Sequence, residues 1–251
     1  MYNQLKEVGN GKTIVTYSLI FCLIAVMGGT YVFDNLAMVF DTFNEKAPFI
    51  RQFLYVFYPG FEGIGALIHL GISIFILAIL GMYLEKIIGS FKFLIFNIAI
   101  IIAYGLVVRK MELFSLGSTA LVWSYIPLVL YSLNESRRIK TRVMFEEYYR
   151  FIKTTAYILI TIIPVFNIFL QFFLRGQISN LEGFKQGLAP FLITISLGIL
   201  GLLIMKSGIK PKLKSFARRK KLDYSSLDFY GRLGALIFPL YVLVTLIEYR
   251  L

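Results

Sequence analysis

Histidine and cysteine are almost absent from this sequence, which has one of each among its 251 residues, His69 and Cys22. A single cysteine excludes a disulfide within the chain and says little about the redox compartment. One histidine and one cysteine are too few to build a structural metal site, so we expect no metal. The sequence also contains no glycine-rich phosphate-binding loop, and we expect no cofactor.

Acidic residues are scarce as well: Asp and Glu number 14 against 26 Lys and Arg, which gives a formal net charge of +12. Only 16% of the residues are charged and 58% are hydrophobic, whereas soluble domains carry about 25% charged residues. The mean hydropathy is +0.75. This composition predicts a polytopic membrane protein, which we treat as one membrane domain over residues 1–251. Nucleic acid is not expected as a partner, because no aromatic–basic module is present.

Seven apolar runs have the length and composition of membrane-crossing helices, which makes the predicted fold all-α. They cover Thr13–Phe33, Gly65–Ser90, about 93–108, about 118–133, Thr154–Leu174, Gly187–Met205 and about 233–247. The first run is too long for a signal-peptide core and has no convincing cleavage site, so we expect it to remain as a helix. The loop before the second run ends in the apolar, aromatic stretch IRQFLYVFYPGF, which is typical of a segment at the membrane interface.

Lys and Arg residues lie mainly on one side of this predicted bundle. The N-terminus and the segments after the second, fourth and sixth helices carry 19 of them, and the other loops and the C-terminus carry 7. The positive-inside rule therefore predicts a cytoplasmic N-terminus and an external C-terminus. The basic segments are expected to contact anionic lipids of the cytoplasmic leaflet. Richness in Ile, Lys and Phe is typical of an AT-rich bacterial genome and points to a bacterial plasma membrane.

The second apolar run, GALIHLGISIFILAILGMYLEKIIGS, contains an unusual residue at almost every fourth position. These residues are Gly65, His69, Ser73, Gly81, Glu85 and Gly89. Small residues four apart form a ridge that lets a neighbouring helix approach closely. Polar residues inside a membrane helix are costly, so His69 and Ser73, one turn apart, are candidates for a site. A buried histidine bonded to a carbonyl, and a serine bonded to its own helix, remain the alternatives.

This run resembles the second transmembrane helix of rhomboid-family proteins. His69, Gly81, Glu85 and Gly89 stand in register with the family's motif, and Ser73 replaces its Asn. Seven helices with a long first external loop also resemble the six-plus-one layout of many members. The resemblance covers about residues 51–205, with an extra helix at about 233–247, and Arg51 in IRQFL is similar to the Arg that opens the family's first-loop motif.

The resemblance implies a serine nucleophile on helix four and a histidine base on helix six. The residues of helix two then help to bind the oxyanion. Ser118 in FSLGSTALVWSY falls at the nucleophile position, although Leu116 and Thr119 replace the flanking glycines. In QGLAPFLITISLGILG, Phe191 and its neighbours occupy the histidine position. No Ser–His pair can form unless His69 serves as a surrogate base.

We therefore expect a rhomboid-like pseudoprotease that binds or handles transmembrane segments of other membrane proteins. Two alternatives stay open: an active intramembrane serine protease that uses Ser118 with His69, and a membrane subunit of a transport or export complex. Ser118 and His69 are expected to lie within hydrogen-bond reach of each other. Ser118 could instead be the N-cap of helix four.

Overall fold

The computed structural model describes residues 13–32, 56, 63–111, 113, 117–138, 153–154, 156–158 and 181–217. Five long helices lie in these ranges: α1 (Ile14–Val32), α2 (Gly63–Ile88), α3 (Ser90–Lys110), α4 (Thr119–Arg138) and α5 (Leu181–Ala217). None of the described residues forms a strand. The described part of the chain is therefore all-helical, as predicted.

The first four helices begin and end within a few residues of the predicted runs, and α5 corresponds to the predicted sixth helix. Only residues 154 and 156–158 of the predicted fifth helix are described. The predicted seventh helix at about 233–247 lies outside the described residues, and so does Arg51.

The most extensive helix contact in the bundle joins α4 to α5, and α4 also packs against α2 and α3. Residues 120–126 of α4 are all buried, whatever direction their side chains take. A helix that is buried on every side occupies the centre of its bundle. The helix that carries Ser118 at its start is thus the central one.

The outer faces of α1, α3 and α5 are apolar. Their exposed large hydrophobic residues are Ile14, Tyr17, Phe21 and Ile24 on α1, Phe91, Leu94, Ile95, Ile98, Ile102 and Leu106 on α3, and Leu192, Ile199, Leu200, Leu203 and Ile204 on α5. Two helices in the described part, Ser90–Lys110 and Leu188–Pro211, are long and apolar enough to cross a membrane.

Helix α5 is longer than the sequence predicted, because it continues from Met205 through the lysine-rich segment to Ala217. Its 37 residues correspond to a length of roughly 55 Å, well beyond the roughly 30 Å of a bilayer core. Ile209 and Leu213, one turn apart in the extension, are fully buried. The sixth helix was predicted to end at Met205 because falling hydropathy marks the end of an apolar run, whereas these two buried side chains keep the helix packed beyond that point.

The extension of α5 is also tied to α4 through charged groups. Glu135 near the end of α4 is buried, and its Oε1 accepts a hydrogen bond of 3.3 Å from Arg138 Nη1. Its Oε2 lies 3.4 Å from Lys210 Nζ on α5. That second contact is an ion pair without hydrogen-bond geometry, since Oε2 has no hydrogen-bond partner in the described part of the chain.

Glycines of α5 allow the bundle to close tightly. At Gly198 a Cβ atom would overlap the carbonyl oxygen of Ser124 and lie 3.1 Å from Pro127 Cδ, both on α4. At Gly201 a Cβ would overlap the ring of Phe96 on α3. Close approach at small residues is the usual basis of helix association in membranes.

Of the ridge glycines predicted on α2, Gly81 and Gly89 behave differently. A Cβ at Gly81 would lie 3.1 Å from Thr16 Cγ2 of α1 and 3.5 Å from Phe93 Cζ of α3. Gly89 lies between α2 and α3, has a φ of +88°, and has no atom within 4 Å of a Cβ position. The ridge therefore packs at Gly81, whereas Gly89 is needed for a backbone conformation that other residues rarely adopt.

Replacing Gly81 by leucine is expected to push α1 away from α2 and to lower the free energy of unfolding. Over-packing costs of this kind are roughly 1–3 kcal/mol or more. The measurement is membrane accumulation and thermal stability in detergent. Gly71→Leu is the control, because Gly71 is an exposed residue of the same helix with no atom within 4 Å of its Cβ position. Equal stability of the two variants would contradict the contact at Gly81.

Candidate functional site

The motif residue Glu85 is buried, with 2% of its surface exposed, and its carboxylate meets the first turn of α1. Oε1 accepts from the Val15 amide at 3.0 Å, and Oε2 accepts from the Thr16 amide at 2.9 Å and from Thr16 Oγ1 at 2.8 Å. Amides in the first turn of a helix have no partner within that helix. A carboxylate there satisfies them and interacts favourably with the helix dipole. Glu85 thus caps α1 from α2.

Two further polar contacts join the helices near this cap. Tyr83 on α2 and Ser132 on α4 share a hydrogen bond of 2.8 Å between their hydroxyl groups. The Tyr125 hydroxyl on α4 donates to Asn97 Oδ1 on α3. Asn97 Nδ2 in turn donates to the Phe93 carbonyl at 2.7 Å. These buried groups are satisfied, and each pair fixes one helix against another.

Ser118 occupies the position immediately before α4 and is buried. The preceding Gly117 has a φ of +55°, which turns the chain into the helix. The Ser118 carbonyl accepts a hydrogen bond of 3.2 Å from the Leu121 amide, so the residue stands where an N-cap stands. The structure places the predicted nucleophile immediately before the N-terminus of the central helix.

Two aromatic rings fill the contact between α4 and the part of α5 where the resemblance expects a histidine. Phe191 and Trp123 are both buried, and their ring centroids lie 4.6 Å apart at an interplanar angle of 64°. Such edge-to-face pairs are stabilising beyond the area they bury. From Gly187 to Met205 the sequence of α5 has no ionisable residue. Between Gly187 and Met205, α5 therefore supplies no general base.

Ser73 is almost fully buried on α2, and its hydroxyl has no hydrogen-bond partner among the residues that the structure describes. Other buried serines behave differently: the hydroxyls of Ser124, Ser132 and Ser136 each donate to the carbonyl three residues earlier. An unsatisfied buried hydroxyl costs about 1–3 kcal/mol. Ser73 is thus a buried polar group whose hydrogen-bonding capacity is not used by the described residues.

His69 belongs to α2, one turn before Ser73, but its side chain lies outside the described part of the structure. The expected contact between His69 and Ser118 therefore stays a prediction, and so does the role of Arg51. Within the described residues, no group of three or more His, Cys, Asp or Glu side chains could hold a metal ion.

Sequence reasoning missed several residues that organise the site. The partner of Glu85 was not identified, although two threonines at the start of α1, Thr13 and Thr16, are typical of a helix N-terminus. Asn97 could have been found as an isolated amide in an apolar run. Glu135 gave no signal because it lies in a segment rich in both charges.

The described geometry offers a serine just before α4, an aromatic pair between α4 and α5, and an unsatisfied hydroxyl on α2. This set can bind a polar group, but in the described residues it does not activate Ser118. Comparison of the chain with protein-family models, with curated proteins and with solved structures finds no match.

Proposed function

We propose that this chain is a rhomboid-like integral membrane protein that does not cut peptide bonds and that binds transmembrane segments of other membrane proteins. The observation that carries the proposal is the Phe191–Trp123 ring pair at the position where the resemblance expects a catalytic histidine. A serine hydroxyl is a weak nucleophile without an adjacent base. The two buried rings occupy that side of α4 with apolar groups and bring no base to it.

The membrane placement is supported by the outer faces of the bundle. Ile204 is 79% exposed and Phe91 is 74% exposed, and both lie on helices that are long enough to cross a membrane. Contiguous exposed apolar surface is rare on soluble monomers. The polar contacts, by contrast, lie inside the bundle, which is the arrangement that a hydrocarbon solvent favours.

The binding function is supported by the unsatisfied hydroxyl of Ser73. A polar residue in another protein's transmembrane helix is itself costly in lipid. Such a residue could donate to or accept from Ser73, with His69 one turn away on the same helix face. Helices that contain polar or helix-breaking residues are therefore the preferred ligands, and stable leucine-rich helices are not.

The test of the inactive site uses a serine-directed fluorophosphonate and a model transmembrane substrate. The wild type and Ser118→Ala should both remain unlabelled and should leave the substrate intact. Ser118→Ala should lower the free energy of unfolding by at most about 1 kcal/mol, because the hydrogen bond described for Ser118 is made by its backbone carbonyl and is kept in the variant. Ser136→Ala is the control, since Ser136 is a buried serine at the other end of α4. Labelling or cleavage that stops only in Ser118→Ala would show that the protein is an active protease.

The test of ligand binding uses two fluorescent single-span peptides reconstituted with the protein in liposomes. One is leucine-rich throughout, and the other carries Asn, Gly and Pro at its centre. Fluorescence energy transfer from the protein to the polar peptide should exceed the level expected for random mixing, whereas transfer to the leucine-rich peptide should not. Ser73→Ala should reduce the transfer to the polar peptide. Random transfer for both peptides would contradict the binding function. Stable co-purification with one dedicated partner would instead favour a subunit of a transport or export complex.

A further inference from the structure

At one end of the bundle, every exposed charged group among the described residues is basic. At this end α2 and α4 finish, α1 and α3 begin, and the extension of α5 lies alongside. The exposed cations here are Lys92, Arg138, Lys206 and Lys210, and we call this region the basic end. Glu85 and Glu135, the two carboxylates described here, are both buried and engaged with their own partners. The exposed potential of this end is therefore positive and suits an anionic partner.

Lys92 is the cation whose position is best defined by packing. It lies on α3 one turn before Phe96, and the two residues face the two glycines of α5, Gly208 and Gly201. The Lys92 Nζ atom lies 3.5 Å from the position that a Cβ of Gly208 would occupy. We call this line of contact between α3 and α5 the seam. A larger side chain at position 208 would compete with the ammonium group for its place.

Lys92 also differs from Arg138 and Lys210 in having no carboxylate partner in the described part of the chain. Arg138 and Lys210 both contact Glu135. Lys92 takes part in no such ion pair, although it is exposed beside a helix backbone. The positive charge of Lys92 is therefore available to a ligand.

Exposed apolar residues lead from Lys92 towards the middle of the predicted span. Ile95 follows Lys92 by three residues on α3, and Ile204 precedes Gly208 by four residues on α5. Both are more than half exposed. Gly208 lies within one turn of the end of the apolar span Leu188–Pro211, so the ammonium group is at the depth of lipid headgroups. A positive group at that depth with apolar surface leading inward matches the chemistry of an anionic phospholipid.

We infer that the seam binds one anionic phospholipid, with the headgroup phosphate on Lys92 and an acyl chain along Ile95 and Ile204. Lysine recognises phosphate as a point charge and can reach the interface from a buried stem. The remaining cations of the basic end attract the same leaflet without forming a shaped site. This inference rests on the membrane placement in the proposed function and does not depend on the binding of transmembrane segments.

The test compares lipid binding by the wild type, Lys92→Gln, Gly208→Leu and the control Lys110→Gln. Each protein is delipidated in detergent and titrated with phosphatidylglycerol or phosphatidylcholine, and bound lipid is counted by native mass spectrometry. The wild type should prefer phosphatidylglycerol by about five-fold, the ratio expected from one lysine at an anionic surface. Lys92→Gln and Gly208→Leu should lose this preference, the second without any change of charge. Lys110→Gln should keep it, because Lys110 lies at the opposite end of α3.

Equal binding of the two lipids by the wild type would overturn the inference, and so would an equal loss in Lys110→Gln and Lys92→Gln. A Gly208→Leu protein that keeps the full preference would show that the seam is not the site. Displacement of phosphatidylglycerol by an equal concentration of inorganic phosphate would show that the site binds free phosphate, and it would overturn the inference that the seam binds a phospholipid. The membrane placement is checked separately, since a wild type that is released from membranes by carbonate would contradict the proposed function itself.

Discussion

Glu85→Ala is expected to destabilise the protein more than any other single loss of a side-chain polar group. The substitution would leave the Val15 and Thr16 amides and the Thr16 hydroxyl without their common acceptor. Each buried donor that loses its partner costs about 1–3 kcal/mol, and the sum is reduced where water can enter. We expect the free energy of unfolding to fall by about 3–5 kcal/mol, measured by titration with a denaturing detergent in micelles.

Two further variants separate the cap from the general loss of a charge. Glu135→Ala makes the same change of side chain and charge as Glu85→Ala, but it removes only contacts to two exposed cations. Ion pairs with exposed cations contribute about 0–1 kcal/mol. Thr16→Val removes one of the three donors, and its effect should shrink in the Glu85→Ala background, as coupled residues require. Additive effects of Thr16→Val and Glu85→Ala would refute the cap.

The helices of the described region could largely be predicted from the sequence because each coincides with an apolar run. Hydropathy is a local property of about twenty consecutive residues, and a helix that crosses the hydrocarbon core of a membrane must have a high hydropathy over that length. The same locality explains the error at the end of α5. The extension past Met205 is held by Ile209 and Leu213, whose burial depends on other helices and leaves no local signal.

The sequence indicated which residues belong to the candidate site, but it predicted only some of the contacts between them. The fourfold spacing in the second run drew attention to Glu85 and Gly81, and both lie at the contact between α2 and α1. Their partner Thr16 is about seventy residues away in the sequence, so no spacing rule connects the two. Phe191 was predicted to stand in place of a base, but its contact with Trp123 required the structure.

Contacts between α5 and its neighbours should respond to glycine substitutions in a defined order. At Gly198 a new Cβ meets the carbonyl of Ser124, which belongs to the backbone of the central helix and has little freedom to move. At Gly201 it meets the ring of Phe96, a buried side chain that can shift by a rotation. At Gly208 it meets only the end of the Lys92 side chain at an ordinary contact distance. The cost of a methyl group should therefore decrease along the helix from Gly198 to Gly208.

Gly198→Ala is accordingly expected to lower the free energy of unfolding by about 1–3 kcal/mol, the usual cost of over-packing. Gly201→Ala should cost less, and Gly208→Ala should raise stability by up to about 1 kcal/mol, because alanine favours the helix over glycine. All three changes add the same single methyl group to the same helix, so composition and length are matched. The three free energies are measured by the same detergent titration as for Glu85. A Gly198→Ala protein as stable as Gly208→Ala would mean that α5 does not approach α4 at Ser124, and the packing that positions Phe191 against Trp123 would then be wrong as well.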